Sequence, residues 1–211
     1  MTALVLIAKE PLPGRVKTRL HPPLSLEDAA SLAAASIDDT AATMMQSAAT
    51  RRILYYSGSR VPASARDLEL LPQSDGELDE RLATLFDKLD EPTLLIGMDT
   101  PQVTTAHIQP ALEGLARDDG PAAWFGPAED GGFWALGLRR PRGDLVRGIP
   151  MSRSDTGALQ RERLVAAGLE IGLLPPLRDV DTVEDARAVA ELAPDTSFAR
   201  QFTELSSTLA L

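Results

Sequence analysis

Short apolar runs alternate with helical segments along almost the whole chain, and this alternation limits the possible folds more than any other sequence feature. Runs of this kind, bounded by glycine, proline or polar residues, are typical of strands buried on both faces. Strands that alternate with helices favour a mostly parallel sheet with helices on both faces. We therefore predict a single-domain three-layer α/β/α fold. The predicted strands are Leu4–Ala8, Ile53–Tyr56, Glu69–Leu71, Thr93–Gly97, Ala122–Phe125, Phe133–Leu138 and Glu170–Leu174.

Capping sequences mark several of the predicted helices. Ser25 with Asp28, and Thr182 with Asp185, have the spacing of capping boxes, and Gly168 stands where a helix-ending glycine belongs. No repeat or linker divides the 211 residues. We predict one domain over 1–211, with a core over about 3–193 and a C-terminal tail, 194–211, that is weakly patterned and either helical or loose. The predicted helices cover about 25–49, 78–89, 108–115, 155–167 and 182–193.

The composition argues against several classes of protein. Asp plus Glu number 31 against 21 Lys plus Arg, and a net charge of −10 does not suit a broad nucleic-acid-binding surface. The absence of cysteine excludes disulfides, thiolate nucleophiles and Cys-ligated zinc. The apolar run near the N-terminus is too short for a signal peptide or a membrane span, so we expect a cytoplasmic protein.

A cationic loop follows the first predicted strand. Pro11, Pro13 and Gly14 break the strand pattern, and the cations of the segment are Lys9, Arg15, Lys17 and Arg19, with Thr18 among them. Ligands of open α/β sheets bind beyond the carboxyl ends of the strands, so this loop is a candidate phosphate site. It lacks the glycine spacing and the ending of a Walker loop. A solvated basic loop is the alternative interpretation.

Two further strands end in carboxylates. Asp99 follows the strand Thr93–Gly97, and Asp181 follows the last predicted strand. Two carboxylates brought together from separate strand ends repel each other unless a cation lies between them. Mg²⁺ (or Mn²⁺) suits such a pair, because it takes one or two carboxylates and completes its shell with water and phosphate oxygens. For Asp179 and Asp185 we predict turn and helix-capping roles instead.

The loop Gly126–Gly132 carries a third candidate carboxylate, Asp130. Asp130 is predicted either as a general base for an acceptor hydroxyl or as an acceptor-binding group. The paired glycines at its end permit close approach to a ligand, or simply a tight connection between two strands. Trp124, Phe133 and Trp134 cluster around this loop and are candidates for an acceptor pocket or for the core.

The motifs together resemble one family. In order they are 9–20 (KEPLPGRVKTRL), Leu71-Pro-Gln73, Asp79-Glu-Arg-Leu82, Gly97-Met-Asp-Thr-Pro101, 126–133 (GPAEDGGF) and Asp179-Val-Asp-Thr182. They are similar to those of the DUF2064 family, also called the radical-SAM/selenodomain-associated transferase 1 group. The resemblance covers about residues 3–193 and implies a GT-A-like (Rossmann-like) nucleotide-diphospho-sugar transferase fold.

The resemblance also implies roles for individual residues. Arg15, Lys17 and Arg19 would contact phosphates, Asp99 and Asp181 would hold a divalent metal, and Gln73 and Arg81 would lie near the nucleotide. Many members carry Trp-Ser-Thr where this chain has Met151-Ser152-Arg153, and Arg153 hints at an anionic acceptor. The predicted catalytic residues are Lys17, Asp99 and Asp130, and the predicted nucleotide- and phosphate-binding residues are Lys9, Gly14, Arg15, Lys17, Thr18, Arg19, Gln73 and Arg81.

The predicted function is a metal-dependent transferase that acts on a nucleotide-activated substrate and a small-molecule acceptor. In one version an acceptor phosphate attacks the α-phosphate of a nucleoside triphosphate. In the other, a sugar is transferred from a nucleotide-diphospho-sugar. The alternative from a different class is a nucleotide-binding regulatory protein without turnover.

Overall fold

Seven strands form one sheet within residues 1–209, the part of the chain that the structure, a computed structural model, describes. The strands are β1 Ala3–Lys9, β2 Arg51–Ser57, β3 Glu69–Pro72, β4 Thr93–Gly97, β5 Ala123–Pro127, β6 Phe133–Leu138 and β7 Ile171–Leu173. Their order in the sheet is β3-β2-β1-β4-β6-β5-β7. All neighbouring strands pair in parallel except β6, which runs antiparallel to both β4 and β5. The predicted mostly parallel sheet is confirmed.

Six α-helices connect and cover the strands, and short 3₁₀ turns lie at Thr18–Leu20, Ala63–Ala65 and Gly143–Leu145. Within residues 1–209 none of the helices has the length and hydrophobicity that a membrane crossing requires. The helices are α1 Leu26–Gln46, α2 Leu78–Lys88, α3 Thr105–Leu115, α4 Thr156–Ala166, α5 Val183–Leu192 and α6 Ser197–Leu209.

The two faces of the sheet carry separate apolar cores, which confirms the three-layer architecture. Alternate residues of a strand point to opposite faces, and in β4 Ile96 packs with α1 and α3 whereas Leu95 packs with α2. Both faces of the central strands are therefore buried, which explains why these strands appear in the sequence as continuous apolar runs.

A third core joins α1, α5 and α6 and includes Phe198 and Phe202. The C-terminal tail is therefore helical, rather than loose, as far as residue 209, and it packs through residues up to Leu205. Residues 210 and 211 lie outside the described part. Asp39 of α1 fixes the start of α6, because its two carboxylate oxygens accept hydrogen bonds from the backbone N–H groups of Ser197 and Phe198, each at 2.8 Å.

The predicted caps are present. Ser25 accepts a hydrogen bond from the N–H of Asp28, and Thr182 and Asp185 form a reciprocal capping box. Gly168 follows α4 with φ at +73°, as expected for a helix-ending glycine. Asp185 thus has the structural role that we predicted for it.

Candidate active site

The predicted loops meet at one edge of the sheet because β1, β4 and β5 run in the same direction. After β7 the chain continues as an extended segment past the end of β5, where Leu174 donates to the carbonyl of Phe125 and Leu177 to that of Pro127. The N–H of Val180 then donates to the carbonyl of Asp99 at 2.9 Å. This path brings Asp181 beside Asp99, although 82 positions separate them in the sequence.

Lys17 occupies the space between these two carboxylates. Its Nζ lies 2.6 Å from Oδ1 of Asp99 and 3.7 Å from Oδ1 of Asp181, and it donates to the carbonyl of Val180. The Lys17 side chain is 6% exposed, whereas those of Asp99 and Asp181 are 44% and 42% exposed. A buried ammonium group therefore holds two carboxylates that are themselves partly exposed.

The other residues of the cationic loop differ in position. Arg19 donates to Oδ2 of Asp181 at 3.2 Å from a largely exposed side chain. Lys9, Arg19 and Thr18 line a small hollow next to Lys17. Gly14, at φ +72°, belongs to the turn that leads into the loop, and Arg15 is exposed. Neither of these two lines the cavity described below, and their predicted ligand contacts stay predictions.

Asp179 also belongs to the carboxylate cluster, where sequence reasoning assigned it only a turn. Its side chain lines the main cavity, and its Oδ1 is fully enclosed without a hydrogen-bond partner in the described chain. Burial, reinforced by the negative charges of Asp99 and Asp130, raises the pKa of Asp179 to about 7. The Asp-x-Asp spacing of Asp179 and Asp181 is the sequence signal that indicates a shared position in the cluster.

The carboxylates open into a cavity of about 610 Å³, a size typical of small-molecule sites. It lies on the α2 face of the sheet. One part of its lining is polar, with Lys9, Arg19, Asp99, Asp130 and Asp181. Another part is apolar and includes Ile7, Leu78, Leu82, Leu95, Phe133 and Met151.

Gln73 and Arg81 lie side by side in the cavity wall. The amide nitrogen of Gln73 donates to the carbonyls of Ala8 and Tyr55 at 2.9 and 3.0 Å, and its oxygen accepts from Nη1 of Arg81 at 2.8 Å. The Gln73 amide is thus occupied by the protein itself. Arg81 has no carboxylate partner among residues 1–209, and its Nε is buried without a hydrogen bond. The guanidinium is the member of the pair with hydrogen-bonding capacity left for a ligand.

Asp130 lies at the tip of the β5–β6 hairpin, so the predicted tight connection is confirmed. Its Oδ1 accepts from the N–H of Gly132 at 2.8 Å. Gly131 has φ at +91°, and a Cβ atom there would overlap the carbonyl oxygen of Ser154. The glycine is required because the hairpin tip packs directly on the segment that leads into α4. Asp130 itself is exposed and lines the cavity.

The segment that departs from the family pattern also lines the cavity. Met151, Ser152 and Arg153 all contribute to the wall. The Arg153 guanidinium makes two bonds of 2.9 Å to Asp155 in its own loop. Its charge is therefore balanced locally, which removes the basis for inferring an anionic acceptor from Arg153 alone.

The aromatic residues divide between cavity and core. Phe133 and Trp134 line the cavity. Trp124 does not, because its ring packs in the protein between Gly114 and Gly172.

The donor chemistry of the site fits a magnesium ion. The carboxylate oxygens of Asp99 and Asp181 face one another on either side of the Lys17 ammonium group. Asp179 adds an enclosed oxygen without a hydrogen-bond partner in the described chain. No cluster of three or more His, Cys, Asp or Glu side chains with metal-binding geometry occurs within residues 1–209. This is compatible with Mg²⁺, which needs only one or two carboxylates when phosphates and water supply the rest.

The strand order and the site at the carboxyl ends of β1 and β4 identify the class of protein. The chain has the fold of the nucleotide-diphospho-sugar transferase superfamily. A structure from Desulfovibrio desulfuricans G20, of a protein designated a candidate nucleotide-diphospho-sugar transferase, is 25% identical with a TM-score of 0.85, over 99% of this chain and 96% of that chain. The model of DUF2064, described as an uncharacterised protein conserved in bacteria, matches residues 33–153. The chain belongs to the DUF2064 family.

Two more distant structures share the fold alone. A cytidylyltransferase from Leptospira borgpetersenii serovar Hardjo-bovis is 10% identical with a TM-score of 0.60, over 99% of this chain and 93% of that chain. CMP:2-keto-3-deoxy-manno-octonic acid synthetase complexed with CTP is 13% identical with a TM-score of 0.59, over 92% of this chain and 99% of that chain. A comparison with curated proteins finds no match.

Proposed function

We propose that the chain is a metal-dependent transferase that acts on a nucleotide-activated substrate. One observation carries the proposal: Lys17, Asp99 and Asp181 meet within hydrogen-bond and ion-pair distance at the carboxyl edge of β1 and β4, beside a cavity of about 610 Å³. Cations and carboxylates in one place suit a polyphosphate with its metal ion, because each sign of charge has a partner there.

The comparisons support the same class. The Desulfovibrio protein is named for nucleotide-diphospho-sugar transfer, and the more distant structures include a cytidylyltransferase and a synthetase holding CTP. These names describe those proteins. For this chain they favour a nucleotide in the cavity, and the residues at the sheet edge supply the chemistry.

Asp99 and Asp181, with Asp179 next to them, would hold Mg²⁺ or Mn²⁺. The ion would supply charge neutralisation for the departing phosphate group. Lys17 and Arg19 would bind phosphate oxygens, and Lys9 adds positive charge at the cavity edge. Most of the work of phosphoryl-type transfer is positioning and electrostatic stabilisation, which this set of fixed charges can perform.

Asp130 would act on the acceptor. One of its oxygens is held by the N–H of Gly132, which fixes the carboxylate at the cavity wall, and no other hydrogen bond to Asp130 occurs in the described chain. The remaining oxygen would accept a proton from an acceptor hydroxyl as that hydroxyl forms its new bond. An acceptor whose attacking atom is a phosphate oxygen needs no such base, because that oxygen is already ionised.

Two reactions fit this site. In nucleotidyl transfer, an acceptor phosphate oxygen bonds to the α-phosphorus while the bond to the β-phosphate breaks, and pyrophosphate leaves. In glycosyl transfer, an acceptor oxygen bonds to the sugar carbon while the sugar–phosphate bond breaks, and the nucleoside diphosphate leaves. The density of cations favours the triphosphate, and the name of the Desulfovibrio protein favours the sugar donor.

A thermal-shift panel tests the proposal. Nucleoside triphosphates and nucleotide-diphospho-sugars are each added with and without Mg²⁺, since a ligand of the folded state at one hundred times its Kd raises stability by about 2.7 kcal/mol. A Mg²⁺-dependent shift with one triphosphate predicts nucleotidyl transfer and identifies the base; a shift with one nucleotide-sugar identifies the donor. No shift with any compound would refute a nucleotide site.

A variant pair then separates an enzyme from a non-catalytic nucleotide binder. Asp99→Asn should lose the Mg²⁺-dependent shift and turnover of the donor found in the panel, followed by phosphorus NMR. Asp67→Asn, which neutralises an exposed carboxylate away from the cavity, should retain both. Wild-type protein that binds the donor tightly but never converts it, with any acceptor tried, would favour the regulatory alternative.

A further inference from the structure

The Lys17 ammonium group lies where the proposed function needs a divalent cation. Its Nζ is 2.6 Å from Oδ1 of Asp99 and also approaches Asp181, and the carbonyl of Val180 accepts a third contact. The side chain is 6% exposed, so this is a built environment and not a surface ion pair. Nothing else in the described chain neutralises Asp99 at this distance.

The backbone holds Lys17 in this place at some cost. Its φ is +48°, in the left-handed region that residues with a side chain rarely adopt. Such a conformation is unfavourable for a residue with a side chain and persists only where the surroundings determine it. Here the surroundings are the two carboxylates and the Val180 carbonyl, which together fix the ammonium position.

Two cations cannot share the oxygen of Asp99 without strong repulsion, because like charges within a few ångströms raise each other's energy most where water is excluded. A divalent ion that binds Oδ1 of Asp99 and Oδ1 of Asp181, the two oxygens that face Lys17, therefore competes with the ammonium group. A displaced ammonium also needs a new partner, since an unpaired charge in a poorly hydrated site is costly. The small hollow beside Lys17 is lined by Lys9 and Arg19 as well as by the two carboxylates. Phosphate oxygens that enter it beside Lys9 and Arg19 would provide that partner.

We propose that Lys17 is a built-in counter-ion of the site, released from Asp99 and Asp181 only when a divalent cation arrives together with a polyphosphate that takes up the ammonium group. This inference rests on the proposed function and deepens it. It makes metal and nucleotide binding mutually dependent: the metal alone competes with Lys17, and the nucleotide removes the competitor. Such coupling is reciprocal, so the metal must strengthen nucleotide binding by the same factor.

Mn²⁺ binding, followed by the relaxation rate of water protons, tests the idea directly and without turnover. Wild-type protein, Lys17→Met and Lys17→Gln are titrated with Mn²⁺ alone. We expect both variants to bind Mn²⁺ at least tenfold more tightly than the wild type, because the competing ammonium is gone. Lys88→Met removes one positive charge from an exposed position at the end of α2, outside the cavity lining, and its Mn²⁺ affinity should stay within about twofold of wild type.

The titrations are repeated in the presence of the nucleotide identified by the thermal-shift panel. The nucleotide should strengthen Mn²⁺ binding to the wild type by a much larger factor than in the Lys17 variants. Equal Mn²⁺ affinities of the wild type and both Lys17 variants, without nucleotide, would overturn the counter-ion role while leaving the transferase proposal intact. If neither the wild type nor a Lys17 variant binds Mn²⁺ even with nucleotide, the metal-dependent function fails as well.

Discussion

Gln73 holds Arg81 in place by accepting a hydrogen bond from its Nη1 at 2.8 Å, while its own amide nitrogen bridges the carbonyls of Ala8 in β1 and Tyr55 in β2. A single side chain thus links two strands to the first turns of α2. The two residues differ in their free hydrogen-bonding capacity: the Gln73 amide is used within the protein, whereas the Arg81 guanidinium lines the cavity without a carboxylate partner among residues 1–209.

The variant Gln73→Leu should therefore be both less stable and a weaker nucleotide binder. Loss of three hydrogen bonds in a partly buried position should lower the free energy of unfolding by about 1–3 kcal/mol, measured by urea denaturation. Arg81→Met should weaken nucleotide binding as much with a smaller loss of stability. Gln109→Leu, which removes a single surface hydrogen bond to Glu113, is the control and should stay within about 0.5 kcal/mol of wild type. If Gln73→Leu retained full affinity, the positioning role would be wrong.

Asp179 should make stability depend on pH in the metal-free protein. Its pKa is about 7 in the fold against 3.8 for the free side chain, so the folded state holds a proton that the unfolded state releases. The stabilising protonated form is fully present below pH 3.8 and is lost as the pH rises towards 7. The unfolding free energy of the wild type minus that of Asp179→Asn should therefore decrease across this window and level off above it. Curves that run parallel from pH 4 to pH 7 would contradict the raised pKa.

Gly131 should not tolerate a side chain. Alanine at this position would combine an unfavourable left-handed backbone with a Cβ atom that overlaps the Ser154 carbonyl oxygen. Gly148 provides a matched control, since its φ is +79° and no atom lies within 4 Å of the position that a Cβ would take. Gly148→Ala should cost about 1–2 kcal/mol through the backbone alone. Gly131→Ala should cost at least about 1–3 kcal/mol more, because the contact forces the hairpin tip away from α4; equal losses would exclude this contact.

Asp39 should contribute to the attachment of the C-terminal helix. Asp39→Ala leaves the N–H groups of Ser197 and Phe198 without their acceptors. We expect a loss of about 0.5–2 kcal/mol in unfolding free energy, as for other helix caps, with faster amide hydrogen exchange at the start of α6. Asp67→Ala, at an exposed position, should change neither quantity. Unchanged exchange in α6 would show that packing alone holds the helix.

The fold could be predicted well from local patterns because its central strands are buried on both faces and because α1 and α5 begin at recognisable caps. The meeting of Asp99 with Asp181 followed from the rule that parallel strands end at one edge of a sheet. The helical tail was harder, because α6 depends on a cap supplied by Asp39, 158 residues earlier in the chain. Only tertiary contact reveals such a cap.

The residue types of the candidate site could be predicted, but the hydrogen-bond and ion-pair partners of its side chains could not. Asp179 looked like a turn residue because nothing local distinguishes an enclosed carboxylate from an exposed one. The same limit applies to Arg153, whose charge is balanced by Asp155 two positions later, and to Gln73, whose amide is consumed by strand carbonyls. Whether a polar group is available to a ligand depends on neighbours that the chain assembles only on folding.

The reversed strand β6 divides the sheet edge into two halves with different freedom to change. On one side, Lys17 and Asp99 follow β1 and β4, strands whose both faces are buried, and Asp181 reaches them from the segment after β7. On the other, the cavity is closed by a hairpin tip and by the segment around Met151, which are surface connections. A lineage could therefore exchange this part of the cavity wall by replacing two loops while the charged residues after β1 and β4 and the sheet stay as they are. The departure from the family pattern at Met151-Ser152-Arg153 lies on the exchangeable half.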